Sequence, residues 1–222
     1  MNEQVTTLGR SQSAALSTNK VVKNTYMLLS LTLAFSALTA GLSMALKMPY
    51  GVSLGTFVAA LVLLWFVVPR TANSTAGIFV VFAVTGLLGF GLGPTLNHYL
   101  ALPNGSQIVM MAMGGTAAIF LGLSAYVMTT RKDFSFMGGF LAVGLMVAFL
   151  AGIAALFFQM PALSLAVSAM FALLASGLIL YQTSEIINGG ETNYVLATVT
   201  LYVAIYNLFT SLLHLLGFAS ND

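Results

Sequence analysis

Charged residues interrupt this chain so rarely that the uncharged intervals between them decide its fold. Residues 24–46, 48–69, 71–130, 134–184 and 192–221 carry no formal charge. The 222 residues include 7 Lys or Arg and 5 Asp or Glu, so 5% are charged against 59% hydrophobic. Soluble domains carry about 25% charged residues, and so few charges cannot cover a surface that faces water. A soluble enzyme is excluded on that ground. Nucleic-acid binding is excluded too, because a net charge of +2 provides no basic patch to grip a phosphate backbone. The absence of Cys removes disulfides, thiolate nucleophiles and Cys-ligated metals. The medium that suits this chain is the lipid bilayer.

About 20 apolar residues cross a hydrocarbon core, so the first two uncharged runs each supply one helix. The polar stretch Asn97–Gln107 divides the third run, and Gln159-Met160-Pro161 divides the fourth. The spacing predicts seven helices, at 25–46, 51–68, 76–96, 107–129, 135–158, 162–184 and 194–218. Continuous apolar runs without period-two alternation exclude a β-barrel. The expected fold is all-α, a polytopic seven-helix transmembrane bundle over residues 20–222, preceded by a mobile polar tail at 1–19. The first apolar run is too long for a signal-peptide core and reads as a retained span.

Orientation follows the Lys and Arg in the loops. With the N-terminus in the cytoplasm, Arg10, Lys20, Lys23, Arg70, Arg131 and Lys132 lie inside, and only Lys47 lies outside. An odd number of spans then puts the C-terminus in the periplasm. Trp65, Tyr50 and Tyr99 suit interfacial anchoring.

In lipid, small residues mark the faces where helix backbones approach closely. The third span carries Gly86, Gly89, Gly91 and Gly93, with Gly89 and Gly93 in GxxxG register, and packing is the favoured role for them. The sixth span carries Ser164, Ser168, Ala172 and Ser176 at four-residue spacing. In the last span Thr200, Asn207, Thr210 and Ser211 are expected to hydrogen-bond between helices, and Tyr202 shares a face with Tyr206.

Signatures of membrane enzymes are missing. No H-E-x-x-H and no His–carboxylate cluster exists to hold zinc, and no cofactor-binding pattern occurs. A dyad of Ser124 and His214 fails on depth. At 1.5 Å per residue the two stand roughly 9 Å and 30 Å above the inner ends of their helices, whereas a catalytic hydrogen bond spans about 3 Å. His214 is expected at the outer interface and His98 in an outer loop. No catalytic residue is assigned.

Glu185 ends the sixth span, with Gln182 and Asn188 at three-residue spacings along one helical face. It is either part of a polar gate at the inner mouth, with Gln182 and Asn207, or an interfacial acid that is paired with Arg70, Arg131 or Lys132 or is simply solvated. The second alternative is favoured, since charge at a helix end costs far less than at the membrane centre.

Three long stretches carry a family resemblance: "KNTYMLLSLTLAFSALTA" (Lys23–Ala40), "TGLLGFGLGPTLNHYL" (Thr85–Leu100) and "LILYQTSEIINGGETNYVLATVTLYVAIYNLFTSLLHLLGF" (Leu178–Phe218). In that order they resemble the bacterial branch of the Bax inhibitor-1 family. The resemblance implies two activities of different kinds. One is a pH-sensitive calcium leak gated by two aspartates that share a proton. The other is regulation of a membrane-anchored AAA protease of FtsH type, by a protein that modulates it and is a poor substrate for it. Matched position by position, the two aspartates of the channel-type members fall on Gln182 and Ala204. Gln does not titrate and Ala has no oxygen, so the proton-sharing pair cannot form. Calcium also favours six to eight oxygen ligands, and Glu185 would be a lone acid. Protease modulation is therefore the preferred expectation, and a cation leak the alternative.

Overall fold

The computed structural model describes the backbone of residues 2–220 and, except for Leu156, the side chains of residues 18–220. The expected mobile tail, 1–19, falls almost wholly on side chains outside that set. The elements are α1 (Asn2–Ala45), α2 (Tyr50–Thr71), α3 (Thr75–Leu100), α4 (Gly105–Thr130), α5 (Gly138–Phe158, entered through a 3-10 turn at Ser135–Met137), α6 (Pro161–Asn188) and α7 (Tyr194–Ala219). Among the described residues there is no strand. All seven helices contain a stretch long and apolar enough to cross a membrane, which in α1 is Thr18–Ala45.

Several helices outrun the expected limits. Helix α1 is already formed upstream of residue 25, and no Pro or Gly stands among Thr18–Thr25 to break it. Helix α3 passes through Pro94 and continues to Leu100, so His98 sits in its last turn and not in a loop. Pro94 has no N–H for the Phe90 carbonyl, and the next carbonyl along, that of Gly91, accepts from Ser53 Oγ at 2.7 Å. Asn97 finds the Met44 carbonyl at 3.1 Å. Neighbouring helices thus satisfy the polar groups of a kinked span. Helix α2 widens into a π-helical turn at Leu63–Val67 just before Pro69, which relieves the proline ring of its clash with the preceding turn.

Helix α7 is the central one. Within its most apolar window 56% of residues are buried, against 11% for α2 and for the α5 span. It packs on α1, α3, α4 and α6. Helix α2 leans on α3, and α5 on α6; both present large apolar side chains outward, such as Leu54, Trp65, Phe140 and Phe157.

The glycines of α3 divide between two partners. A Cβ on Gly89 would collide with the Ser36 carbonyl and the Ser36 and Thr39 hydroxyls, and one on Gly93 with Ser43 and the Met44 amide. Gly91 turns the other way, towards Thr56 and Ser53 of α2. The Gly-rich span is therefore a packing surface, its bare backbone letting α1 and α2 come close.

Candidate functional site

Tyr202, about a third of the way along α7, ties three helices together. It is 2% exposed. Its phenol lies 2.5 Å from Ser36 Oγ of α1 and donates to the Thr85 carbonyl of α3 at 3.2 Å. With the phenol hydrogen given to Thr85, the Ser36 hydroxyl donates to the phenol oxygen. Gly89 lies one turn beyond Thr85, so the close approach there is what brings Ser36 within reach. The Tyr206 ring stacks on Tyr202 with centroids 6.4 Å apart. One turn nearer the start of α7, Thr198 donates to the Tyr194 carbonyl at 2.7 Å and reaches the Thr25 carbonyl at 3.3 Å.

The expected interhelical bonds of Thr210 and Asn207 are not made. Thr210 Oγ1 bonds to the Tyr206 carbonyl of its own helix at 2.9 Å, and Asn207 is half-buried without a side-chain partner among the described residues. A hydroxyl that can return to the preceding turn satisfies itself locally. The cross-helix bonds come from Tyr202, Thr198 and His214 instead.

Where α6 meets α7, the two positions that match the family's aspartates lie in different surroundings. Ala204 is fully buried in an apolar cluster with Ala175, Ile179 and Leu208, backed by Ile119, Phe120 and Leu123 of α4. Gln182, one turn beyond Ile179, is 5% exposed and makes no hydrogen bond to a described residue. Between them the helix interface is apolar.

Gln182 and Glu185 share the inner end of α6, while Asn207 stands apart. Counted from the α6–α7 turn at 1.5 Å per residue, Glu185 lies roughly 5 Å and Asn207 roughly 20 Å deep. The Glu185 carboxylate folds over Gly190, where a Cβ would meet it, and the Glu185 carbonyl accepts from the Glu191 amide at 3.0 Å. Among the described residues no cation stands within 4.0 Å of it. The guanidinium of Arg70 donates to the Phe66 carbonyl. Lys132 places its ammonium 5.7 Å from the Tyr126 ring centroid. Arg131 ends α4 in a left-handed conformation.

Ser184 was not singled out by the sequence, yet it holds the α4–α5 connection against α6. Its hydroxyl accepts from the Phe134 amide at 2.8 Å and from Asn188 at 3.1 Å, and donates to the Lys132 carbonyl at 3.3 Å. Beside it, the exposed Asp133 accepts from the Ser135 amide at 2.8 Å, which holds its carboxyl below the ordinary value.

Asn193 secures the other side of the same end. Its side-chain Oδ1 accepts from the Val195 and Leu196 amides, capping α7, while its side-chain Nδ2 donates to the Ala72 carbonyl and Asn73 Oδ1. Asn193→Ala is expected to cost about 1–2 kcal/mol, the range for a lost N-cap, measured as unfolding of the full chain in detergent.

At the far end, Ser168 of the small-residue face meets His214 Nδ1 at 2.6 Å and also donates to the Ser164 carbonyl. His214 is thus bonded between helices, and Ser124 is buried elsewhere without a hydrogen-bond partner among the described residues. The Ser168–His214 pair has a nucleophile–base spacing, and among the described residues no third side chain bonds the imidazole in the way that orients a catalytic base.

A bundle of seven apolar helices around a buried central span, with Gln182 and Ala204 between its last two, agrees with the comparison to known proteins. Residues 18–221 match the family described as Inhibitor of apoptosis-promoting Bax1, and the chain belongs to that family. It is 51% identical over 220 residues to the Modulator of FtsH protease YccA of Escherichia coli K12, covering 99% of this chain and 100% of that one. An uncharacterized membrane protein of Vibrio cholerae is 46% identical over 222 residues, covering both chains in full. An Escherichia coli O6:H1 relative, also 51% identical, is described as an inner membrane protein. The present chain is an inner-membrane protein of the same kind.

Proposed function

We propose that this protein modulates a membrane-anchored AAA protease of FtsH type, inhibiting it by direct contact and without enzymatic activity of its own. The observation that carries this reading is identity of 51% along the whole length of a relative described as a modulator of FtsH protease. The protein is oriented with its N-terminus in the cytoplasm and its C-terminus in the periplasm, as the Lys and Arg distribution favours. Residues 1–19 then offer a polar terminus to a pulling protease, and residues 20–222 form the bundle that resists extraction. Resistance has a physical source in the glycine contacts of α3 and the Tyr202 tie, which must all separate before α1 can leave. On this orientation Arg70, Arg131, Lys132 and Glu185 are among the polar groups that face the cytoplasmic side, with Gln182 buried one turn further in.

The test is the lifetime of a membrane substrate of the protease in cells with and without this protein. Expression is expected to lengthen that lifetime several-fold and to bring the protease down with the tagged protein. Deleting residues 2–16 is expected to abolish both effects while thermal unfolding of the bundle stays unchanged. Full modulation by the truncated protein would remove the tail from the account. The apolar cluster around Ala204 and the lone Glu185 weigh against a calcium path through α6 and α7.

A further inference from the structure

The geometry points to a binding site for a soft monovalent cation, Cu(I) or Ag(I), built from Met44, Met48 and His98. A cavity of about 480 Å³ opens between the end of α1 and the end of α3, and all three side chains line it. The chain itself creates the grouping. Lys47 adopts a left-handed conformation at φ 50°, and the amides of Lys47 and Met48 return to the carbonyls of Met44 and Ser43 at 3.0 and 3.3 Å. That reversal brings Met48 back beside the last turn of α1. Asn97 fixes the other wall, since its side chain holds the Met44 carbonyl at 3.1 Å and His98 is the next residue. Gly93 lets the two backbones approach closely enough for this.

The donor set selects the ion. Thioether sulfur is a soft ligand that favours Cu(I), and imidazole binds copper well. No Cys exists to compete, and no Asp or Glu lines the cavity. Among the described residues no group of three His, Cys, Asp or Glu assembles anywhere, so hard divalent ions lack ligands here. Two aromatic rings steady the imidazole: the Tyr50 and Tyr99 centroids lie 6.1 and 5.6 Å from that of His98, each in an edge-to-face arrangement of the kind aromatic pairs prefer. Lys47 is exposed, and its long stem lets the ammonium turn out to water.

The experiment titrates Ag(I), which is redox-inert, into the full chain in detergent against a competing chelator. One equivalent is expected to bind. Met44→Leu with Met48→Leu, and separately His98→Ala, are each expected to weaken binding by roughly tenfold or more, the loss that even outer-shell changes cause at metal sites. Met110→Leu with Met113→Leu, altering two exposed methionines elsewhere, is expected to leave it unchanged. X-ray absorption of the Cu(I)-loaded protein is expected to show sulfur and nitrogen in the first shell. Absence of binding in the wild type, equal binding by the cavity variants, or a shell of oxygen and nitrogen alone would each overturn the assignment.

Discussion

Gly89→Ala is expected to lower the stability of the bundle by about 2–3 kcal/mol, the upper part of the range for overpacking a filled interface. The added Cβ has no free direction. It meets the backbone carbonyl of Ser36 as well as the hydroxyls of Ser36 and Thr39, and a carbonyl in a helix cannot rotate away as a side-chain tip can. Helix α1 must therefore shift, and with it Ser36, which is held to Tyr202. Gly41→Ala is the matched control. Gly41 also lies in a spanning helix, but nothing approaches within 4 Å of its added Cβ, so its effect is expected within about 0.5 kcal/mol of zero. Denaturation of both variants in the same detergent measures the difference. Equal stability of the two would mean that α1 and α3 are not in backbone contact.

The second large effect is expected at Tyr202, and two substitutions separate its sources. Tyr202→Phe removes the phenol and leaves the Ser36 hydroxyl buried without that partner. Its cost is expected near 1 kcal/mol, because hydrogen bonds between membrane helices average about 0.6 kcal/mol while an unsatisfied buried group adds to the loss. Tyr202→Ala also empties the space of a ring among α1, α3 and α7, and about 3–5 kcal/mol is expected from truncating an aromatic residue in a packed interior. Packing thus outweighs the hydrogen bonds at this position. A Tyr202→Phe loss as large as that of Tyr202→Ala would reverse that order. Because α1 is the helix that contains the N-terminal segment, both Gly89→Ala and Tyr202→Ala should also make the protein easier to extract and quicker to be degraded.

Charge spacing, together with the polar breaks at Asn97–Gln107 and Gln159–Pro161, revealed seven spans, since a charge or a polar cluster in a helix centre would be costly. Helix ends were less legible. Asn97 and the polar residues after it look like a stop in one dimension, and the bond from Asn97 to the Met44 carbonyl on α1 accompanies the continuation of α3 to Leu100. The glycines of α3 announced a packing face, but not which helix each would meet. At the candidate site, Gln182 and Ala204 stood out only through the family resemblance, which implies paired acids at those two positions. The roles of Ser184, Asn193 and Tyr202 were not, because each joins segments far apart in the chain and has no local periodicity to betray it. His214 was placed at an interface by depth, and its bond to Ser168 depended on how α6 faces α7.

The central claim is regulation of a protease and not conduction of an ion, and one preparation can measure both. Proteoliposomes containing an FtsH-type protease, its membrane substrate and an enclosed calcium dye would be assayed at two pH values with and without this protein. The account predicts several-fold slower degradation when the protein is present, and no calcium entry at either pH. Undiminished degradation, together with a calcium flux that Glu185→Gln abolishes, would contradict it.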